Sequence, residues 1–139
     1  MKVVMNKFHH IGIFVKDLEY GKSEISKFID IVSVSNEIVD EQMGVKIIFV
    51  KDNHNVTYEL VAPNGNESPV TGVLKRGRDY LNHIAYECDS FDDEISRLRN
   101  EGLVPLGKAK KAKAFEGAKV IFFLSPLGFI IELIEVNTK

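Results

Sequence analysis

Two histidines and two glutamates carry the strongest chemical signal in this chain. His10 lies in FHHIGIFV (residues 8–15) and Glu59 in YELV (58–61), while His83 lies in LNHIAYEC (81–88) and Glu132 in IELI (131–134). Glu59 follows His10 by 49 positions, and Glu132 follows His83 by 49. All four sit in β-branched or aromatic runs of the kind that form strands. Side chains alternate across a strand, so His10 shares a face with Gly12 and Phe14, while Ile11, Ile13 and Val15 point to the other. The aliphatic face takes the helix, which leaves the imidazole on the concave side. By the same rule Glu59 goes with Thr57 and Val61, His83 with Ala85 and Glu87, and Glu132 with Ile130 and Ile134. Carboxylates among such apolar neighbours are costly to bury as charges unless something compensates them. A divalent cation does so. Two nitrogens and two oxygens leave two octahedral positions open for water or substrate oxygens, a set that zinc, nickel, cobalt, manganese and ferrous iron all accept. A lone strand histidine is ordinarily a satisfied core group; two matched pairs at one interval argue for a metal site.

The elements that position these residues form an internal repeat. In each half a histidine-bearing strand is followed by an aspartate and a helical pattern. The first helix is expected after Asp17 with Leu18, Ile25, Phe28 and Ile29 on one face; the second is expected after Asp89 with Phe91, Ile95 and Leu98. Asp17 and Asp89 are the expected N-caps. Further strands are expected near 34–41, 44–51 and 56–62, and near 103–107, 118–124 and 129–135. The simplest reading is a duplicated β-α-β-β-β module, the first over about 6–63 and the second over about 81–136. The linker, about 64–80, begins as a loop rich in Pro, Gly, Asn and Ser. Neither half of about 60 residues buries a sheet alone, so 1–139 is read as one domain.

Composition limits the function. With 139 residues, 45% hydrophobic and 27% charged, the chain has room for one core. A net charge of −2 with no basic face argues against nucleic acid as a partner. No apolar run approaches the roughly 20 residues of a membrane span. The opening MKVVMNKFHH lacks the apolar stretch of a secretory signal, so a cytoplasmic location is expected. Cys88 is the sole cysteine, which excludes an internal disulfide and a cysteine-rich zinc site. It reads as a small core residue.

The segments HHIGIFVKDLE, YELVAP, NHIAYECD and FIIELIE resemble the vicinal oxygen chelate superfamily, which includes glyoxalase I, methylmalonyl-CoA epimerase, extradiol dioxygenases and the bleomycin- and fosfomycin-resistance proteins. The resemblance implies an α+β fold in which two tandem βαβββ modules form a curved, cup-shaped mixed sheet with helices outside. It places His10, Glu59, His83 and Glu132 at the family's four ligand positions for one divalent metal ion (Zn, Ni, Co or Mn), and implies a homodimer. Within the superfamily, DEQMGVKIIFV, YELVAP and ESPVTGVLKRG look most like methylmalonyl-CoA epimerase. That implies an acyl-CoA thioester substrate and proton transfer next to a carbonyl, with Glu132 as ligand and base and Glu59 or Glu41 serving the opposite face. Glu59 stands where the epimerases usually carry glutamine, and it matches the His, Glu, His, Glu set of bacterial glyoxalase I. The alternative is therefore lactoylglutathione lyase activity on a glutathione hemithioacetal, although Arg76, Arg78, Arg97 and Arg99 all lie after residue 75, unlike the usual glutathione-dependent pattern. A non-catalytic sequestering or resistance protein is a second alternative. The ligand quartet disfavours it, because bleomycin-binding members generally lack these residues. Lys108, Lys110, Lys111 and Lys113, and Lys75, Arg76 and Arg78 in the linker, read as surface groups able to meet an anion.

Overall fold

The computed structural model describes residues 6–78 and 80–136; Asp79, in the linker, lies outside them. Among the described residues the chain is α+β. In order it forms β1 (Lys7–Phe14), α1 (Leu18–Ile25), β2 (Ile31–Val34), β3 (Ile38–Asp40), β4 (Val45–Asp52), β5 (Thr57–Pro63), α2 (Pro69–Arg76), β6 (Leu81–Cys88), α3 (Phe91–Asn100), β7 (Val104–Pro105), β8 (Lys110–Lys111), β9 (Lys119–Leu124) and β10 (Ile130–Glu135). A short 3-10 turn, Lys113–Phe115, precedes β9. The chain divides into two compact units, His10–Asn82 and the residues on either side of that span.

In the unit from His10 to Asn82 the strand order is β2-β4-β5-β1, with β3 beside the start of β4. β5 runs parallel to β1 and antiparallel to β4. Helix α1 covers one face, where Ile25, Ile48, Val50 and Leu60 form the core and Ile13, Leu18, Ile29 and Tyr58 close around it. Alternation puts Ile47, Phe49, Glu59 and Val61 on the opposite face. Asp17 caps α1 as expected, its carboxylate accepting from the Tyr20 N–H at 2.7 Å. Gly21 lets the helix lie close to the end of β1, since a Cβ there would stand 2.8 Å from Val15 Cγ1. The helix is shorter than its pattern implies. It ends at Ile25, and Phe28 is 73% exposed rather than on the apolar stripe. The strand expected near 34–41 is two: β2 begins at Ile31, and the chain breaks at Ser35, whose hydroxyl accepts from the Phe49 N–H at 2.8 Å, before β3. The linker contains α2, capped by Ser68, opened by Pro69 and stopped by Gly77 at φ 71°. Lys75 and Arg76 fall in its last turn, where cations oppose the negative end of the helix dipole.

The other unit repeats the connectivity. Its order is β6-β10-β9-β7, with β8 beside β9; β10 is parallel to β6 and antiparallel to β9. The start of β1 belongs here. Asn6 donates to Glu94 at 2.6 Å, Phe8 meets Tyr86 edge to face, and His9 does the same to Phe115. Helix α3 buries Phe91 and Leu98 against Cys88, Ile121, Phe123 and Leu133, with Ile95 alongside, which is the expected stripe. Its N-cap is Ser90 rather than Asp89, and no side chain caps it; Asp92, Asp93 and Glu94 in the first turn complement the dipole instead. The lysine-rich segment contributes β8, and Lys108, Lys110, Lys111 and Lys113 stay exposed while Ala112 is buried. No described helix is long and apolar enough to cross a membrane.

Candidate metal centre

Each unit presents one imidazole and one carboxylate on the sheet face away from its helix. In the unit from His10 to Asn82, the parallel register sets Gly12 beside Glu59, two residues beyond His10, and the antiparallel register sets Phe49 on the other side of Glu59. His10 is 0% exposed and Glu59 5%, and His10 Nε2 lies 3.3 Å from Glu59 Oε1. The Phe49 ring stands 5.8 Å from the His10 ring, inclined at 76°.

The other unit reproduces this arrangement. Ala85 pairs with Glu132 across the parallel ladder and Phe122 pairs with it across the antiparallel one. His83 is 4% exposed and Glu132 3%, with His83 Nε2 3.3 Å from Glu132 Oε1. Phe122 stands 5.8 Å from the His83 ring at 78°. On its parallel side each glutamate is thus paired with one of the two smallest residue types, Gly12 or Ala85.

The donor spacing fits a cation. A charge-assisted N–H···O contact closes to about 2.7–2.9 Å, and 3.3 Å is longer than that. Two donors each about 2.1 Å from one ion stand about 3.0 Å apart at a right angle and about 3.4 Å apart at the tetrahedral angle. Imidazole nitrogen with carboxylate oxygen is also the donor chemistry of borderline divalent ions. All four side chains are buried and of a kind that can hold a metal ion.

Glu41 is placed differently. It lies exposed in the turn between β3 and β4. Its neighbour Asp40 is buried at the end of β3, with Oδ1 accepting from the Met43 N–H at 3.1 Å. Cys88 is buried in the α3 core, and burial, followed by the nearby carboxylates of Glu94, Asp89 and Glu135, pushes its thiol up to about 11. It is a neutral packing residue. Phe49 and Phe122 are the site residues that the reading of motifs missed. The signal was available: they are 73 positions apart, as are the two histidines and the two glutamates.

Comparison with known proteins agrees with this architecture. The chain is 28% identical over 134 residues to the uncharacterised protein YqjC of Bacillus subtilis, covering 94% of this chain and 93% of that one. It is 27% identical over 133 residues to the mitochondrial methylmalonyl-CoA epimerase of Mus musculus, covering 93% and 72% respectively. The crystal structure of hypothetical protein BH1468 from Bacillus halodurans matches with a TM-score of 0.77 at 25% identity, over 98% of both chains. The shared fold is the expected one. Residues 9–122, a span that takes in His10, Phe49, Glu59, His83 and Phe122, match the family model of the Glyoxalase/Bleomycin resistance protein/Dioxygenase superfamily, and the chain belongs to that superfamily.

Proposed function

We propose that His10, Glu59, His83 and Glu132 together hold one divalent cation, and that the protein is an isomerase moving a proton next to the carbonyl of an acyl-CoA thioester, in the manner of methylmalonyl-CoA epimerase. The observation that carries this reading is the repetition of one buried imidazole–carboxylate pair, at 3.3 Å each time, in two units of the same connectivity. The epimerase name of the mouse relative supports the reaction class. Zinc, nickel, cobalt and manganese all suit the donor set.

A bound cation supplies Lewis-acid polarisation of the substrate carbonyl, worth several kcal/mol to developing negative charge. The chain's own groups move the proton. Glu132 takes it from the carbon beside the carbonyl, and Glu59 or Glu41 serves the opposite face. Ile130 and Ile134 share the face of Glu132, and Phe122 flanks it, so the carboxylate works among apolar neighbours that limit water. Glu132→Gln should lower turnover by roughly 10², the scale of a positioned acid–base group. Its far-ultraviolet circular dichroism should not change. Near-normal turnover would take Glu132 out of the mechanism.

A second reading is lactoylglutathione lyase activity. It is favoured by Glu59, a buried carboxylate where the epimerases usually carry glutamine. Metal analysis of the purified protein, coupled to deuterium exchange on methylmalonyl-CoA and on the methylglyoxal–glutathione adduct, separates the two. Exchange on the thioester supports the epimerase reading, and exchange on the adduct alone transfers the assignment to the lyase. Metal binding with exchange on neither demotes both named substrates and leaves the metal site intact. A cytoplasmic homodimer completes the proposal, to be checked by fractionation and by sedimentation.

A further inference from the structure

Phe49 and Phe122 do no chemistry, and neither belongs to the two hydrophobic cores, which lie on the helix-covered faces. Both are only half-buried. Yet each stands in the same relation to one ligand pair. Its ring meets the imidazole edge to face at 5.8 Å, and its Cα partner across the antiparallel ladder is the glutamate of that pair. Directly opposed residues of such a ladder bring their Cβ atoms to about 4.5–5.5 Å, so each phenyl borders both donors.

An imidazole needs such a neighbour. The torsion that turns a histidine ring about its Cβ–Cγ bond is broad and roughly two-fold, so the strand fixes where the ring is but not which way its plane faces. Aromatic pairs prefer the edge-to-face or offset-stacked arrangement over a face-to-face sandwich, and both pairs here take the edge-to-face one. We infer that Phe49 and Phe122 are positioning residues, one for each histidine, which hold the imidazole planes so that Nε2 faces the neighbouring carboxylate before any cation arrives. The inference rests on the proposed cation site for its functional meaning. A partner hydrogen-bonded to a metal-binding histidine changes metal affinity about 10- to 100-fold; a phenyl offers only a ring contact, whose weight corresponds to about 2- to 10-fold.

The test uses the full chain with Phe49→Leu, Phe122→Leu, and Phe→Tyr at each position. Three quantities are measured: cobalt(II) affinity by visible absorption, the melting temperature without metal, and ring-carbon NMR relaxation of His10 and His83 without metal. Each leucine variant should bind cobalt about 2- to 10-fold more weakly, keep the metal-free melting temperature within a few degrees, and show wider motion of its own histidine ring only. Tyrosine should restore both affinity and ring order. Leucine variants that bind cobalt like the wild type with unchanged ring motion would overturn the inference. So would a loss of affinity that follows a fall in metal-free melting temperature and is not restored by tyrosine. If the wild type takes up no cobalt, the cation site itself fails. Ring relaxation then decides the positioning role alone: looser rings in the leucine variants support it, and unchanged rings reject it.

Discussion

If one cation is shared by both pairs, thermal stability must depend equally on each glutamate. At a free metal concentration 100 times the dissociation constant, binding to the native state adds about 2.7 kcal/mol. A chain of 139 residues, at about 2.1 cal/mol/K per residue, has a melting entropy of about 0.29 kcal/mol/K. The midpoint should therefore rise by about 9 °C on loading, using the same scaling. Glu59→Leu and Glu132→Leu remove the donor oxygens outright while keeping roughly the side-chain size, and both positions are buried, at 5% and 3% exposure, so the chelator control carries any change in packing. Losing a ligand costs at least the roughly 100-fold seen for the strongest outer-shell partners. At the same free metal the variant is then half-saturated, its gain falls to about 0.4 kcal/mol, and its shift to about 1.4 °C. Calorimetry in buffered zinc, nickel or cobalt, against a chelator control, measures both shifts. A full wild-type shift surviving in either variant would refute the reasoning, as would titration to two cations per chain, because the pairs would then act separately.

Three further outcomes are expected. Gly21→Ala gains about 1 kcal/mol of helix propensity but sets a methyl 2.8 Å from Val15 Cγ1, on a side chain stiff at χ1. With an overpacking cost of about 1–3 kcal/mol, the variant should unfold at lower urea than the wild type, and a stabilised variant would show that Val15 moves aside freely. The Asp52 carboxyl is held below its usual range, first by the Val56 N–H and also by the His54 N–H and the Tyr58 hydroxyl. Its contribution to stability is present above the unfolded value of about 3.9 and is lost as pH falls through the lower native value. Urea melts between about pH 2.5 and 6 should therefore show a steeper acid loss in the wild type than in Asp52→Asn, and parallel curves would exclude the carboxylate from this role. The Cys88 thiol, buried and raised to about 11, should resist alkylation at pH 8 in the native protein and react at once in denaturant; rapid native labelling would mean that the α3 core opens.

Much of the architecture was legible because period-two alternation is a strong signal in two-faced strands. Ile11 and Ile13 against His10, and Leu60 against Glu59, already separate the helix-covered face from the ligand face, and α3 follows its Phe91, Ile95, Leu98 stripe. The misses have local causes. Phe28 continues the helical spacing on paper, but α1 closes at Ile25 and leaves it in solvent. Helix α2 buries only Val70 and Val73, too few for a period to stand out, although Ser68, Pro69 and Gly77 mark both of its ends. Asp89 lost the cap to Ser90 because helix boundaries depend on backbone angles that neighbouring residue types do not fix. Phe49 and Phe122 passed unnoticed because an aromatic residue in an apolar strand reads as core. Only the ladder registers show that each faces a glutamate.

The parallel ladders also govern the order in which the donors come into being. Gly12 meets Glu59 and Ala85 meets Glu132, contacts that close over 47 positions in each case. Such distant closures are slow, and they follow the local hairpins. On the ribosome the first imidazole and carboxylate can come together once β5 has emerged, before β6 has followed it out of the exit tunnel. The second pair must await β10. A nascent chain paused between the two stages therefore carries one imidazole–carboxylate pair without the other, and under the proposed shared site its hold on any ion at that moment would be that of a bidentate peptide.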